Sequence, residues 1–170
     1  MAYVVLGLLM LWPQSLYELT KNFGVGVSLF YSASAGSIKR ALDQLLADGK
    51  IVVTSAQGPR GKKIYEISDV GREDFRRWMV EGPMGTGNEA ILARTYFLGL
   101  LDEADRQIVA ARVRERMHQH QQRLESLDAQ LENAEIPPGL EDVAQYQLAT
   151  LQYGIVAGRT ALAWAEKHLP

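Results

Sequence analysis

The sequence predicts a mainly α-helical protein with one short two-stranded ribbon before its midpoint and long helices in its C-terminal half. Three observations carry that prediction. Residues 34–49 set Ile38, Leu42, Leu45 and Leu46 three and four apart, the period of a helix with one buried face. Residues 51–67 hold two β-favouring runs separated by Gly58-Pro59-Arg60-Gly61-Lys62-Lys63, a turn-forming stretch with a cationic tip. From residue 110 onward, Ala110, Val113, Met117, His120, Leu124, Leu127 and Leu131 alternate three and four apart, a heptad seam suited to helix pairing.

Taken in order, the elements follow from local chemistry. The first helix spans roughly 3–11 and is apolar on nearly all sides, so it must be buried on more than one face. Pro13 stops it. Ser15 caps the next helix with Glu18 three residues on, the spacing of a capping box, and Leu16, Leu19 and Phe23 form its core side. Gly24 and Gly26 open a loop that runs to about Ala33, Ser34 caps the third helix, and Gly49 ends it. After the ribbon, Ser68 or Asp69 caps a helix through Trp78, with Phe75, Trp78 and Met79 on one face as core. Residues 82–88 contain three Gly and a Pro and read as a linker between an N-terminal domain (1–81) and a helical domain (89–170).

The last helix is expected from about Leu140, after the break at Pro137-Pro138-Gly139, to His168. It carries two apolar stripes. Leu140, Ala144, Leu148, Leu151, Ile155, Gly158, Leu162 and Leu169 form one, and Val143, Tyr146, Tyr153, Ala157 and Trp164 form the other. One partner cannot cover both, so an intrachain helix and a second subunit are expected. The residues expected at a homodimer interface are Tyr146, Leu151, Tyr153, Ile155, Leu162 and Trp164.

Composition narrows the classes. The chain has 170 residues, 47% of them hydrophobic, enough to fill a core. It has no cysteine, which excludes disulfides and thiolate metal sites and fits a reducing compartment. The apolar run at 4–11 is short, lacks a basic preceding region and ends at Trp12-Pro13, unlike a secretory segment. A cytoplasmic protein without a membrane partner is the expectation. The net charge of −2 hides an asymmetry: residues 1–80 carry ten Lys/Arg against seven Asp/Glu, a balance of +3, and residues 81–170 are at −5.

Order gives the middle segment its meaning. A helix that starts on small residues, then a Gly cap, then a ribbon with a basic tip, form one supersecondary unit, a winged helix-turn-helix, whose helix suits the major groove and whose tip suits phosphates. The expected contacts to double-stranded DNA are Ser34, Ser37, Lys39 and Arg40 on the helix and Arg60, Lys62 and Lys63 on the wing. A charge balance of only +3 also leaves open a winged-helix protein-interaction module without DNA contact.

Four segments resemble the PadR-type transcriptional regulators: VVLGLLML at 4–11, LYELTKNF at 16–23, SASAGSIKRALDQLLADGKI at 32–51 and GPRGKKIYEISDVGREDF at 58–75. The remaining chain is similar to the helical dimerisation region of the longer members. The resemblance implies a backbone contact at Tyr17, a homodimeric repressor and release of DNA by a small molecule. Lys39 stands where the family usually has Tyr, and Leu16 where it usually has Gly. A flexible ammonium in place of a phenol favours phosphate over base contact.

A symmetric dimer would set two recognition helices about 34 Å apart on one face of the duplex, so an inverted repeat is the expected operator. A signal must act on whatever sets that separation. Trp12, Tyr153 and Trp164 are therefore the expected contacts for a planar aromatic effector. Other chemistries fail on spacing. The gap from Gly58 to Gly61-Lys62 is too short for a phosphate loop, and no Ser or Thr follows the lysines. His118 and His120 diverge on a helix, so no metal or cofactor is expected, and no constellation argues for an enzyme.

Overall fold

In the computed structural model, which describes residues 1–57, 62–85, 87–132 and 134–170, the N-terminal apolar segment forms α1 (Ala2–Leu11). Val4, Val5, Leu6, Leu8 and Leu9 are all buried, the all-round burial its composition demands. Helix α2 (Leu16–Val25) begins with the expected capping box: the Glu18 backbone N–H donates to Ser15 Oγ, and the Ser15 N–H donates to Glu18 Oε2 at 2.8 Å. After a 3₁₀ turn at Val27–Leu29 comes α3 (Ala35–Ala47), which buries Ile38, Leu42 and Leu45 and leaves Leu46 half-buried. Gly49 ends α3 in the left-handed conformation (φ +68). Its N–H donates to Leu46 O and the Lys50 N–H to Leu45 O, so two orphan carbonyls of the last turn are satisfied.

Strands β1 (Ile51–Gln57) and β2 (Lys62–Ile67) pair antiparallel, with Ile51 opposite Ile67 and Val53 opposite Tyr65. The register shifts by one between Val53 and Ser55, which marks a β-bulge at Thr54. The base of the ribbon is core: Ile51, Tyr65 and Ile67 are buried. Ser68 then caps α4 (Asp69–Val80), accepting from the Gly71 N–H at 3.2 Å, and Phe75 and Met79 point inward. Trp78 is half-buried and stacks on Tyr3 with ring centroids 4.9 Å apart.

The helix that follows residue 88 is not continuous. Helix α5 (Asn88–Phe97) and a 3₁₀ turn at Leu98–Leu100 precede α6 (Glu103–Leu131), so the chain breaks at 98–102. Asp102 restarts it by accepting the Asp105 N–H at 2.9 Å. Contacts divide the chain into Met1–Val109 and Ala110–Pro170, a division that falls within α6. Residues 82–85, 87 and 88 of the expected linker lie inside the first unit. No helix of the described residues is long and apolar enough to cross a membrane.

The second unit is an antiparallel pair made of the rest of α6 and α7 (Glu141–His168). Glu125 pairs with Arg159 at 2.9 Å, Gln152 donates to Asp128 at 2.8 Å, and Arg114 donates to the Pro170 carbonyl at 2.7 Å. The seam runs through Ala110, Val113 and Gln121, which are buried, whereas His120 is exposed. A four-residue step from Met117 replaces the three-residue step to His120. The polar side chain is admitted because Gly158 lies against it: a Cβ there would overlap Gln121 Oε1, and one at Gly154 would crowd Leu124.

Candidate nucleic-acid interface

The first unit arranges α2, α3 and the ribbon around an open groove of about 730 Å³ lined by Ser15, Leu16, Tyr17, Thr20, Ala35, Lys62, Lys63 and Tyr65. Tyr17, from the start of α2, is 77% exposed. The groove thus gathers three residues expected from sequence, Tyr17, Lys62 and Lys63, beside the first turn of α3. Lys39 and Arg40 lie outside it on the exposed face of α3. Arg60 lies outside the described residues.

The two serines expected as contacts have a structural task. Ser34 Oγ accepts the Ser37 N–H at 3.2 Å, while Ser37 Oγ accepts the Ser34 N–H at 3.0 Å, a reciprocal box at the α3 N-terminus. Lys39 folds back along the helix, with Nζ 2.7 Å from Asp43 Oδ2, and that hydrogen bond raises the ammonium pKa. Lys62 reaches across to α2 and meets Glu18 Oε1 at 3.1 Å. Hydrogen bonds from the Ser15 side chain, the Ser15 backbone and Lys62 hold the Glu18 carboxyl at about 2, below its usual 4.5. The stabilisation this carboxylate gives α2 is present above its unfolded value and is lost as pH falls from about 4.5 towards about 2.

What aims the ribbon is a residue the sequence did not flag. Gln14 is fully buried between α1 and α2. Its N–H donates to Tyr65 O at 3.0 Å and its carbonyl accepts the Tyr65 N–H at 2.8 Å, which adds a bridge to the outer edge of β2. Its side chain donates to the Leu8 carbonyl at 2.6 Å and accepts from Asn22 at 2.6 Å. Leu8 O is one of the last four carbonyls of α1, without a partner inside the helix, so one glutamine ties α1, α2 and the wing together. Gln14→Leu is expected to cost about 1–3 kcal/mol, because a buried acceptor is left bare; urea denaturation measures it, and an unchanged midpoint would remove Gln14 from this role.

In the second unit, Tyr146 and Tyr153 are 71% and 76% exposed on α7, in line with Val143 and Val156. Leu151 and Ile155, also expected at a dimer interface, are buried within the protomer, and Leu162 and Trp164 are half-buried. Of the expected effector contacts, Trp12 is 53% exposed at the end of α1 and Trp164 tilts against His168. Tyr153 and Trp164 stand about 16 Å apart along α7 of one protomer.

Comparison with known proteins fits this architecture. The C-terminal family "Virulence activator alpha C-term" matches residues 88–170. A transcriptional regulator of Mycobacterium tuberculosis is 27% identical over 89% of this chain and 86% of its own length. The negative transcriptional regulator PadR of Bacillus subtilis is 28% identical over 76% of this chain and 72% of its own. Among solved structures, Bacillus subtilis PadR in complex with operator DNA is 22% identical, covering 98% of this chain and 94% of that one with a TM-score of 0.46. The same protein in complex with p-coumaric acid is 24% identical over 97% and 94%, with a TM-score of 0.44. In its four N-terminal segments, its C-terminal match and its alignment with two regulators over most of its length, the chain is similar to the PadR-type transcriptional regulators.

Proposed function

We propose that this protein is a sequence-specific DNA-binding transcriptional regulator that acts as a homodimer on an inverted repeat, represses by occluding a promoter, and releases DNA when a planar aromatic molecule binds. The observation that carries the reading is the groove between α2, α3 and the ribbon, where an exposed tyrosine and two wing lysines stand beside the start of the recognition helix. A phosphate backbone needs cations and donors on adjacent elements, whereas base edges need a helix free of core duties on its outer face. Helix α3 supplies the second with its exposed outer face, where Arg40 is placed for base edges and Lys39 for phosphate. The named relatives support regulation by DNA binding, and the p-coumaric acid complex of the Bacillus subtilis protein supports a small aromatic acid as the class of effector. The helical region 89–170 is taken as the dimerisation part.

Selection of bound fragments from genomic DNA tests the reading, with recovery of a repeated inverted motif as the expected result. Replacing Lys62 and Lys63 together by Ala should weaken binding to all duplexes alike and flatten the dependence of log affinity on log salt by up to about 2 per subunit. An unchanged slope in a folded variant would leave the wing without a part in phosphate contact.

A further inference from the structure

Two of the cations proposed to meet DNA are held by neighbouring carboxylates. Lys62 of the wing meets Glu18 of α2 at 3.1 Å, and Lys39 of the recognition helix meets Asp43 one turn on at 2.7 Å. All four side chains are exposed, from 42% to 61%. Among the described residues, Arg40 and Lys63 form no ion pair. The acids therefore halve the formal charge that these four cations present, and each takes up one of its lysine's three donors. Resting on the DNA-binding reading above, we propose that Glu18 and Asp43 are affinity-limiting residues: built-in competitors that hold Lys62 and Lys39 away from the phosphate backbone and so keep sequence-independent DNA binding weak.

The physical argument is one of displacement. Sequence-independent affinity comes from phosphates neutralised by Lys and Arg with release of counterions. A lysine already paired must exchange a carboxylate for a phosphate, gaining little, and the carboxylate it leaves repels the arriving strand. Glu18 is the more telling of the two. It is fixed by Ser15 as the capping-box acid of α2, so its carboxylate is not free to swing out of the way. Lys62 lies 44 residues further along the chain, and only folding brings the pair together. With its carboxyl held at about 2, Glu18 stays charged across the working pH range, so the competition is constant and is no pH switch.

Glu18→Gln separates this role from helix capping, because Gln also serves at the third position of a capping box. The probe is a random-sequence duplex titrated with the full-length protein between 50 and 200 mM salt. Glu18→Gln should bind it about 2- to 5-fold more tightly, with the slope of log affinity against log salt steeper by up to about 0.9 per subunit, while far-UV dichroism keeps the wild-type signal and the melting temperature falls only slightly with loss of the charged cap. In a Lys62→Ala background the same change should no longer steepen the slope. Asp43→Asn should act likewise through Lys39. Wild-type binding with a normal salt slope but no gain in Glu18→Gln overturns the inference alone; so does an equal gain without Lys62. A wild-type protein that binds no duplex overturns the DNA-binding reading and this inference with it.

Discussion

Tyr146→Glu together with Tyr153→Glu is expected to give a folded monomer whose operator affinity is lower by two orders of magnitude or more. The two rings are 71% and 76% exposed in the protomer, so removing them takes nothing from its own core. Along α7 they alternate with Val143 and Val156, also exposed, at steps of three and seven, the spacing of a helix seam. The opposite stripe is already satisfied, with Leu151 and Ile155 buried within the chain. An apolar row of this length is seldom left to water, and a second copy is the occupant that symmetry makes self-complementary. Glutamates on such a face would be buried in like-charged pairs, which association cannot sustain. Loss of the second DNA-binding head removes an avidity gain of about 10²- to 10⁴-fold. Sedimentation reports the assembly, and far-UV dichroism should stay at the wild-type signal. A dimer that survives both glutamates would place the interface elsewhere.

How far the sequence could be read depended on the range of the interaction. Periodicity and caps are local, so α1, the Ser15–Glu18 box, the Ser34 cap and the Gly49 stop were all legible, as were the two strands of the ribbon; its turn at 58–61 lies outside the described residues. The two stripes of α7 were legible as stripes. Their division of labour was not, because burial of Leu151 and Ile155 depends on which partner arrives first. The heptad count put His120 on the seam, but a four-residue step admits Gln121 instead, since Gly158 on the facing helix leaves room for it. The break at 98–102 is marked in the sequence only by Asp102, whose side chain caps α6. Least visible were residues whose partners lie far along the chain. Gln14 joins Leu8, Asn22 and Tyr65, and Glu18 serves both Ser15 and Lys62. No spacing rule encodes the Gln14 set or the Glu18–Lys62 pair.

Arg94 belongs to the same class, and its replacement should have the largest effect on stability. It is fully buried in α5. Its guanidinium donates to the carbonyls of Trp78 at 3.1 Å, Gly82 at 3.3 Å and Pro83 at 2.9 Å, and lies 4.5 Å from the centre of the Trp78 ring. Helix α4 ends here, and its last carbonyls have no partner within the helix. The arginine satisfies those of Trp78 and Met79, the latter at 3.4 Å, and places a positive charge at the negative end of the helix dipole. Burying a guanidinium is costly, and replacing a buried ion by an apolar side chain of similar size can be neutral. The balance is decided by what remains: several carbonyls lose their donor at once, and each buried one left bare costs about 1–3 kcal/mol. Arg94→Ala also opens a cavity beneath Trp78, so a loss of about 3–5 kcal/mol is expected. Arg94→Met refills most of that volume without restoring a donor and should recover only part of the loss. Chemical denaturation of the two variants separates packing from hydrogen bonding. If Arg94→Met matched the wild type, the carbonyls would be served by water, and the arginine would be a space-filler rather than the cap of α4.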